Sequence, residues 1–185
     1  MWLFIGAYFC AGAGYVVSAT FIVAILEALP VFAGWGSWVW VLLGLAAAPS
    51  TFLWDRVASR VGGINALLAA YALQITSIIL PALSEGTFLN LLSALLFGNT
   101  FVGIVSLTLS IIGRRFAGNP AKAMARLTIS YGIAQIIVPA IAGYIASATG
   151  SYHGALWLAA GIMLLGMGAL YAVLRRERYL RSAPA

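Results

Sequence analysis

Two polar residues in one long apolar stretch, Tyr131 and Gln135, are four positions apart, a spacing that places both side chains on one face of a helix. Asn99 lies in another apolar stretch, and Tyr15 lies in a third. An amide buried in apolar surroundings must be hydrogen-bonded, either to a neighbouring helix or to a ligand. The sequence leaves both alternatives open for these residues.

The segment of residues 53–60 carries a different chemistry, because Asp55 is followed at once by Arg56, and Arg60 comes four residues later. A carboxylate at a helix end can contact the N-terminus of a neighbouring helix, where free N–H groups and the helix dipole favour negative charge. The segment is therefore either a latch between two helix bundles or a solvated basic loop with one acid.

The sequence lacks the residues that most catalytic and metal sites require. Cys10 is the only cysteine and His153 the only histidine, so an intrachain disulfide and a Cys/His metal set are both excluded. We expect no enzymatic activity, no metal and no cofactor. Glu27 is the one candidate for a titrating or gating group, and it lies about 37 Å along a helix from Trp2, at the predicted outer interface.

The elements that position these residues are six apolar segments. The chain of 185 residues is 63% hydrophobic and 8% charged, whereas typical soluble domains carry about 25% charge. A helix needs about 20 apolar residues to cross a bilayer. Segments that meet this length are residues 2–26, 35–53, 64–83, 88–112, 127–148 and 155–174. We therefore predict an all-α integral membrane domain of residues 1–174, followed by a basic cytoplasmic tail of residues 175–185.

The charges predict the orientation of this bundle. All 10 Lys and Arg residues fall within residues 56–60, 114–126 and 175–181, and the alternate connections hold none. Because cytoplasmic loops retain Lys and Arg, both termini of this multi-pass membrane protein are expected in the cytoplasm. The net charge of +6 is explained by lipid headgroups beside the spans, so no nucleic-acid partner is expected.

Small residues recur along the predicted spans at helical spacing. Gly14 lies in the first span, and Gly132, Pro139 and Gly143 lie in the fifth. Such residues allow helix backbones to approach closely. They are expected either to serve this packing alone or also to permit bending during a transport cycle.

These motifs together resemble the major facilitator superfamily. Residues 51–60 (TFLWDRVASR) are similar to the G-x-L-x-D-R-x-G-R-[KR] signature of that family, with Thr51 and Ala58 in place of glycines and Ser59 in place of a cation. Residues 131–143 (YGIAQIIVPAIAG) resemble the eleventh helix of its YbfB/YjiJ-type bacterial subgroup. Residues 96–103 (LFGNTFVG) and 12–15 (GAGY) are also similar to that subgroup.

The resemblance covers the chain as the C-terminal half of a twelve-helix permease. It implies a six-helix bundle of two inverted three-helix repeats, with solute bound near the midplane between two halves. It further implies that spans one, two, four and five line the cavity. The residues expected along the solute pathway are Tyr15, Thr20, Asn99, Thr100, Tyr131 and Gln135, and those expected to form the latch are Asp55, Arg56 and Arg60.

The expected function is transport of a small solute by alternating access, with the lipid bilayer, the solute and a second six-helix half as partners. That second half is either another chain or a second copy in a homodimer, in which Asp55 would approach residues 124–128 of its partner. The alternative is a membrane scaffold, or a truncated or inactive permease fragment.

Overall fold

Helices account for nearly all of the residues that the structure describes. The computed structural model describes residues 1–27, 34, 36–84 and 86–182, and no strand occurs within these ranges. The helices are α1 (Trp2–Glu27), α2 (Gly36–Ala47), α3 (Ser50–Val61), α4 (Gly63–Leu83), α5 (Thr87–Arg115), α6 (Pro120–Thr149) and α7 (His153–Ser182). Within the described ranges, 6 segments are long and apolar enough to cross a membrane. The predicted all-helical, six-span architecture is confirmed.

The second span consists of two helices. Its apolar segment runs over Trp38–Val61 and contains α2 and α3, which are separated at Ala48 and Pro49. Proline has no N–H group with which to bond the carbonyl four residues earlier, so the helical hydrogen-bond ladder is interrupted there. The position predicted as the start of this span, residue 35, lies outside the described residues.

The basic segment after the second span is helical. We expected a span ending at residue 53 and then a loop, whereas α3 continues through Arg60 and the chain turns only at Gly62. Gly62 has φ of +89°, a conformation that favours glycine, and its N–H donates to the carbonyl oxygen of Ala58 at 2.9 Å. The signature-like residues therefore sit on a rigid helix end.

Trp54 is buried, although it directly precedes the charged residues of segment 55–60. Its exposed fraction is 5%, and its indole Nε1–H donates to the main-chain oxygen of Asn99 at 3.1 Å. The ring packs against Gly103 of α5, where a side chain would collide with it. Trp54 lies inside the bundle because α3 extends almost two further turns beyond it.

All the cationic clusters lie at one end of the bundle, which we call the cationic end. Arg115, at the end of α5, forms an ion pair with Glu177 of α7, and its guanidinium carbon lies 5.3 Å from the ring centroid of Phe4, near the start of α1. This ion pair holds a segment that was predicted as a tail, since α7 continues to Ser182. The last three residues of the predicted tail lie outside the described residues.

The packing of the spans has an internal symmetry. The first span (α1) packs on the fifth (α6) and the sixth (α7), and the fourth span (α5) packs on the second (α2 and α3) and the third (α4). The third and sixth spans also pack on each other. Exchanging spans one to three with spans four to six reproduces this pattern, as expected for a bundle built from two related three-helix units.

Candidate functional site

Five aromatic rings from α1, α5 and α6 meet inside the bundle and form what we call the aromatic cluster: Tyr8, Tyr15, Phe97, Phe101 and Tyr131. The ring centroid of Tyr15 lies 5.9 Å from that of Phe97, 5.2 Å from that of Phe101 and 6.0 Å from that of Tyr131. The rings of Tyr8 and Tyr131 are 4.7 Å apart. Tyr15 and Phe101 lie about halfway along their helices, so the cluster is close to the middle of the spans.

Helix periodicity places these rings on common faces. Phe97 and Phe101 are four positions apart on α5, and their centroids are separated by 5.3 Å. Gly12 brings α1 close to α6, because a Cβ atom at this position would lie 2.7 Å from the main-chain oxygen of Tyr131. The absence of a side chain at Gly12 therefore sets the distance at which Tyr131 meets the tyrosines of α1.

The cluster is largely apolar but carries three tyrosine hydroxyl groups. Among the described residues, the hydroxyl groups of Tyr8, Tyr15 and Tyr131 have no hydrogen-bond partner. A tyrosine hydroxyl normally finds a partner when the ring is buried. The charged residues of the described chain lie within about two turns of a helix end and none belongs to the cluster, so the cluster offers hydroxyl groups and ring faces without a net charge.

Gln135 and Asn99 occupy different surroundings. Gln135 is half-buried one turn after Tyr131 on the same face of α6, and its amide makes no hydrogen bond to another described residue. Asn99 is two residues from both Phe97 and Phe101, which places it about 200° around α5 from their face. Its main-chain oxygen accepts hydrogen bonds from the side chains of Ser50 and Trp54. Gln135 thus accompanies the cluster, whereas Asn99 lies toward the second span.

Thr100 and Thr20 do not join the cluster. Thr100 is fully buried, and its hydroxyl contacts the side-chain oxygen of Gln74 on α4, which makes it a contact between the third and fourth spans. Thr20 is exposed and donates to the main-chain oxygen of Val16 in its own helix at 2.7 Å. Glu27 is the exposed last residue of α1.

The predicted latch residues lie together on α3. Asp55, Arg56 and Arg60 are all exposed, and Asp55 forms no ion pair or hydrogen bond with another described side chain. Asp55 lines a surface cavity of about 230 Å³ that also includes Ser59 and Arg114. Its carboxylate is therefore available for a contact outside the described chain.

The four residues proposed for helix bending are divided between packing and open positions. Gly14 is buried where α1 meets Met163 of α7, so it serves close packing. Gly132 and Gly143 have no atom within 4 Å of the position of an added Cβ. Pro139 lies inside α6, which continues as one helix from Pro120 to Thr149. A bending role for all four residues stays a prediction.

Two spans leave most of their surface uncovered. In the most apolar 18-residue stretch of each span, 22% of the residues are buried in the second and fifth spans, compared with 39–50% in the other four. The exposed apolar residues of α6 are Ile129, Ile133, Ile136, Ile137, Ile141 and Tyr144. The second and fifth spans do not touch each other within the described chain, and they flank the first and fourth spans, which carry most of the aromatic cluster.

The sequence singled out Tyr15 and Tyr131 but not Tyr8, Phe97 or Phe101. The available signal was the helical spacing of aromatic residues, seven positions between Tyr8 and Tyr15 and four between Phe97 and Phe101. In an apolar span such spacing is equally typical of ordinary core packing. The convergence of three helices was needed to identify the group.

Comparison with known proteins agrees with this arrangement. No curated protein gave a significant match. A family model described as "Uncharacterised MFS-type transporter YbfB" matches residues 1–171, which is most of the chain. With its six apolar spans, the chain therefore belongs to the YbfB-type family of major facilitator superfamily transporters, and its general function is membrane transport.

Proposed function

We propose that the chain transports a small neutral solute by alternating access, as one half of a secondary transporter whose other half docks on the second and fifth spans. The observation that carries this proposal is the aromatic cluster, which lies about halfway along the spans where α1, α5 and α6 meet, and α6 is one of the two least buried spans. Solute sites of secondary transporters lie near the bilayer midplane between two structural units. The position of the cluster halfway along the spans supports this role.

The chemistry of the cluster favours a neutral solute that contains a planar ring. Ring faces bind other rings by stacking, in pairs worth about 0.5–1.5 kcal/mol beyond the area that they bury. The hydroxyl groups of Tyr15 and Tyr131 and the amide of Gln135 are available to orient polar groups of such a solute. A charged solute would lose its hydration without gaining an ionic partner, which is costly in an apolar site.

A second half would cover the faces that this chain leaves open. It is either another chain or a second copy of this one, and we place Asp55 against the N-terminal end of α6 in that second half. The free N–H groups and the dipole at a helix start favour a carboxylate. We place the cationic end in the cytoplasm of a bacterial inner membrane, in accordance with the distribution of Lys and Arg.

Cysteine cross-linking tests whether two copies pair in this way. With Cys10→Ala as background, we expect Asp55→Cys in one copy and Ala121→Cys, in the exposed first turn of α6, in another copy to be joined by a short thiol cross-linker in native membranes. Because each copy carries only one of the two cysteines, a cross-link between these two positions must connect two copies. Asp55→Cys alone and Ala121→Cys alone are the matched controls, since the proposed contact joins the two different positions and neither position to itself. Only monomers, in correctly folded protein, would contradict the homodimer and leave a separate chain as the second half.

Solute binding is tested by stabilisation of the purified protein. We expect neutral ring compounds such as indole and 2-naphthol to raise the unfolding temperature in mild detergent, because a ligand that binds only the folded state stabilises it. Their carboxylate counterparts, indole-3-carboxylate and 2-naphthoate, should have little effect. The compound with the largest shift is then followed in counterflow experiments with proteoliposomes, with protein-free vesicles as control. Equal shifts from the carboxylates, or folded protein without counterflow, would argue against the proposal.

A further inference from the structure

We propose that a second cavity, at the cationic end between α4, α5 and α7, binds the headgroup of an anionic phospholipid. The cavity has a volume of about 540 Å³ and lies where the turn between α3 and α4 meets the ends of α5 and α7. It is lined on its polar side by Asn65, Arg114, Arg115, Glu177 and Arg178. The inference does not depend on which solute the chain transports.

The charge of this cavity is positive even after its internal ion pair is counted. Arg115 is paired with Glu177, which leaves Arg114 and Arg178 without an ion pair among the described residues. Both are exposed, and Glu177 is the one acid among the lining residues. Asp55 lines an adjoining cavity together with Arg114 but lies beyond ion-pair distance of it. Two free guanidinium groups facing one cavity match the oxygens of a phosphate, to which arginine binds through paired hydrogen bonds.

The main chain adds donors to the same cavity. Gly63, Ile64 and Asn65 form the first turn of α4 and line the cavity, and no side chain caps this helix start. The first N–H of this turn with a main-chain acceptor is that of Ala66, which donates to Gly62 at 3.0 Å. The N–H groups before Ala66 therefore supplement the two arginines in binding a negatively charged oxygen.

The apolar side of the cavity distinguishes a lipid from a free anion. Val61, Ile64, Ile111 and Leu174 line the cavity beside the arginines. A phospholipid contacts both surfaces, because its phosphate meets the cations while its acyl chains cover the apolar residues, whereas inorganic phosphate leaves the apolar surface in water. Basic pockets between transmembrane helices at the cytoplasmic side commonly bind anionic headgroups.

This cavity is separate from the aromatic cluster. Arg114 is thirteen residues after Phe101 on α5, which corresponds to about 20 Å along the helix. The third and sixth spans that border it are not the two spans with the most uncovered surface. A lipid bound here therefore joins the cationic ends of α4, α5 and α7 without occupying the proposed solute site.

The test compares lipids and arginine variants of the full chain. Phosphatidylglycerol is titrated into delipidated protein in mild detergent, and the unfolding temperature and the number of lipids retained in native mass spectrometry are recorded. We expect saturable stabilisation and one retained lipid, and an apparent Kd at least tenfold higher for Arg114→Gln with Arg178→Gln. The control, Arg175→Gln with Arg176→Gln, removes the same charge from exposed residues at the end of α7 that do not line the cavity, and its Kd should change by less than about twofold.

The outcomes that overturn the proposal are distinct. Equal weakening by both double variants would show diffuse attraction to the cationic end rather than a site. Equal stabilisation by inorganic phosphate or glycerol 3-phosphate at the same concentration would assign the cavity to a soluble anion, and equal stabilisation by phosphatidylcholine would exclude recognition of charge. If the double variant folds poorly, Arg178→Gln alone, near the end of α7, should raise the Kd about threefold, and an unchanged value counts against the proposal.

Discussion

Gly98→Val is expected to destabilise the bundle by about 3 kcal/mol, the upper end of the usual cost of overpacking a core. An added Cβ atom at Gly98 would lie 2.6 Å from the main-chain oxygen of Leu43 and 2.9 Å from the Cβ atom of Ala46. Both atoms belong to α2, and a main-chain oxygen cannot rotate away as a side chain can. Accommodating valine therefore requires α2 and α5 to separate.

The matched control for this substitution is Gly161→Val. Gly161 lies in α7, is exposed, and has no atom within 4 Å of the position of an added Cβ. Both variants make the same chemical change within a helix, so the difference between them isolates the contact between α2 and α5. The measurement is the unfolding temperature of each purified variant in the same detergent. Equal unfolding temperatures for the two variants would show that the second span is not held closely against the fourth.

Displacement of the second span should also affect the aromatic cluster. Gly98 directly follows Phe97, whose ring stacks on Phe101 and Tyr15. A shift of α5 away from α2 moves these rings relative to α1. Packing of the second span and the shape of the candidate site are thus coupled through two successive residues of one helix.

The spans and the common location of the cations could be predicted because both depend only on the order of residues along the sequence. A run of about 20 apolar residues is sufficient to identify a span, and positive residues at alternate connections place those connections at one end. Neither inference requires knowledge of how a helix is rotated. The six spans found in the described chain accordingly match the predicted number.

The predictions that were wrong depend on local backbone chemistry or on how a helix is rotated about its own axis. Pro49 marked the division of the second span, but the hydropathy of this span is continuous across it, so one helix was predicted where two occur. The second span was predicted to end at residue 53, before the charged residues, whereas α3 continues to Val61 and the indole of Trp54 packs on Gly103. Charged residues near a span do not show where its helix ends.

The candidate site was only partly predictable for the same reason. The spacing of Tyr131 and Gln135 predicts that their side chains share one face of a helix. This prediction requires no knowledge of how neighbouring helices are rotated. The contacts of Tyr131 with Tyr8 and Tyr15 depend on how α1 and α6 are rotated against each other, which Gly12 allows through close approach. Thr100 illustrates the converse, because its polarity suggested the pathway while its rotation turns it toward Gln74.

Tyr131→Leu is expected to weaken binding of a neutral ring compound at least tenfold. The ring of Tyr131 lies 4.7 Å from that of Tyr8 and 6.0 Å from that of Tyr15, so its removal opens the cluster from the side of α6. Aromatic pairs contribute about 0.5–1.5 kcal/mol each, and a factor of ten in affinity corresponds to about 1.4 kcal/mol. The measurement is the Kd of indole or 2-naphthol, whichever stabilises the unmodified protein more.

Two further variants separate the ring from its hydroxyl group and binding from folding. Tyr131→Phe retains the ring and removes a hydroxyl that has no partner in the described chain, so it should leave the unfolding temperature unchanged and raise the Kd about threefold to tenfold. Tyr71→Phe removes a hydroxyl that donates to the main-chain oxygen of Ala7 at 2.8 Å. That variant should lose about 1 kcal/mol of stability and keep its affinity for the solute.

The opposite responses of these two tyrosines distinguish a binding site from a packing contact. If Tyr131 serves only to hold α1 and α6 together, Tyr131→Leu lowers the unfolding temperature and the Kd of the remaining folded protein is unchanged. If it contacts solute, the Kd rises in folded protein, and Tyr71→Phe does not reproduce the effect. Tyr131→Phe and Tyr71→Phe make the same chemical change at two tyrosines that both contact α1, so a difference between their Kd values must arise from the position of Tyr131 within the aromatic cluster.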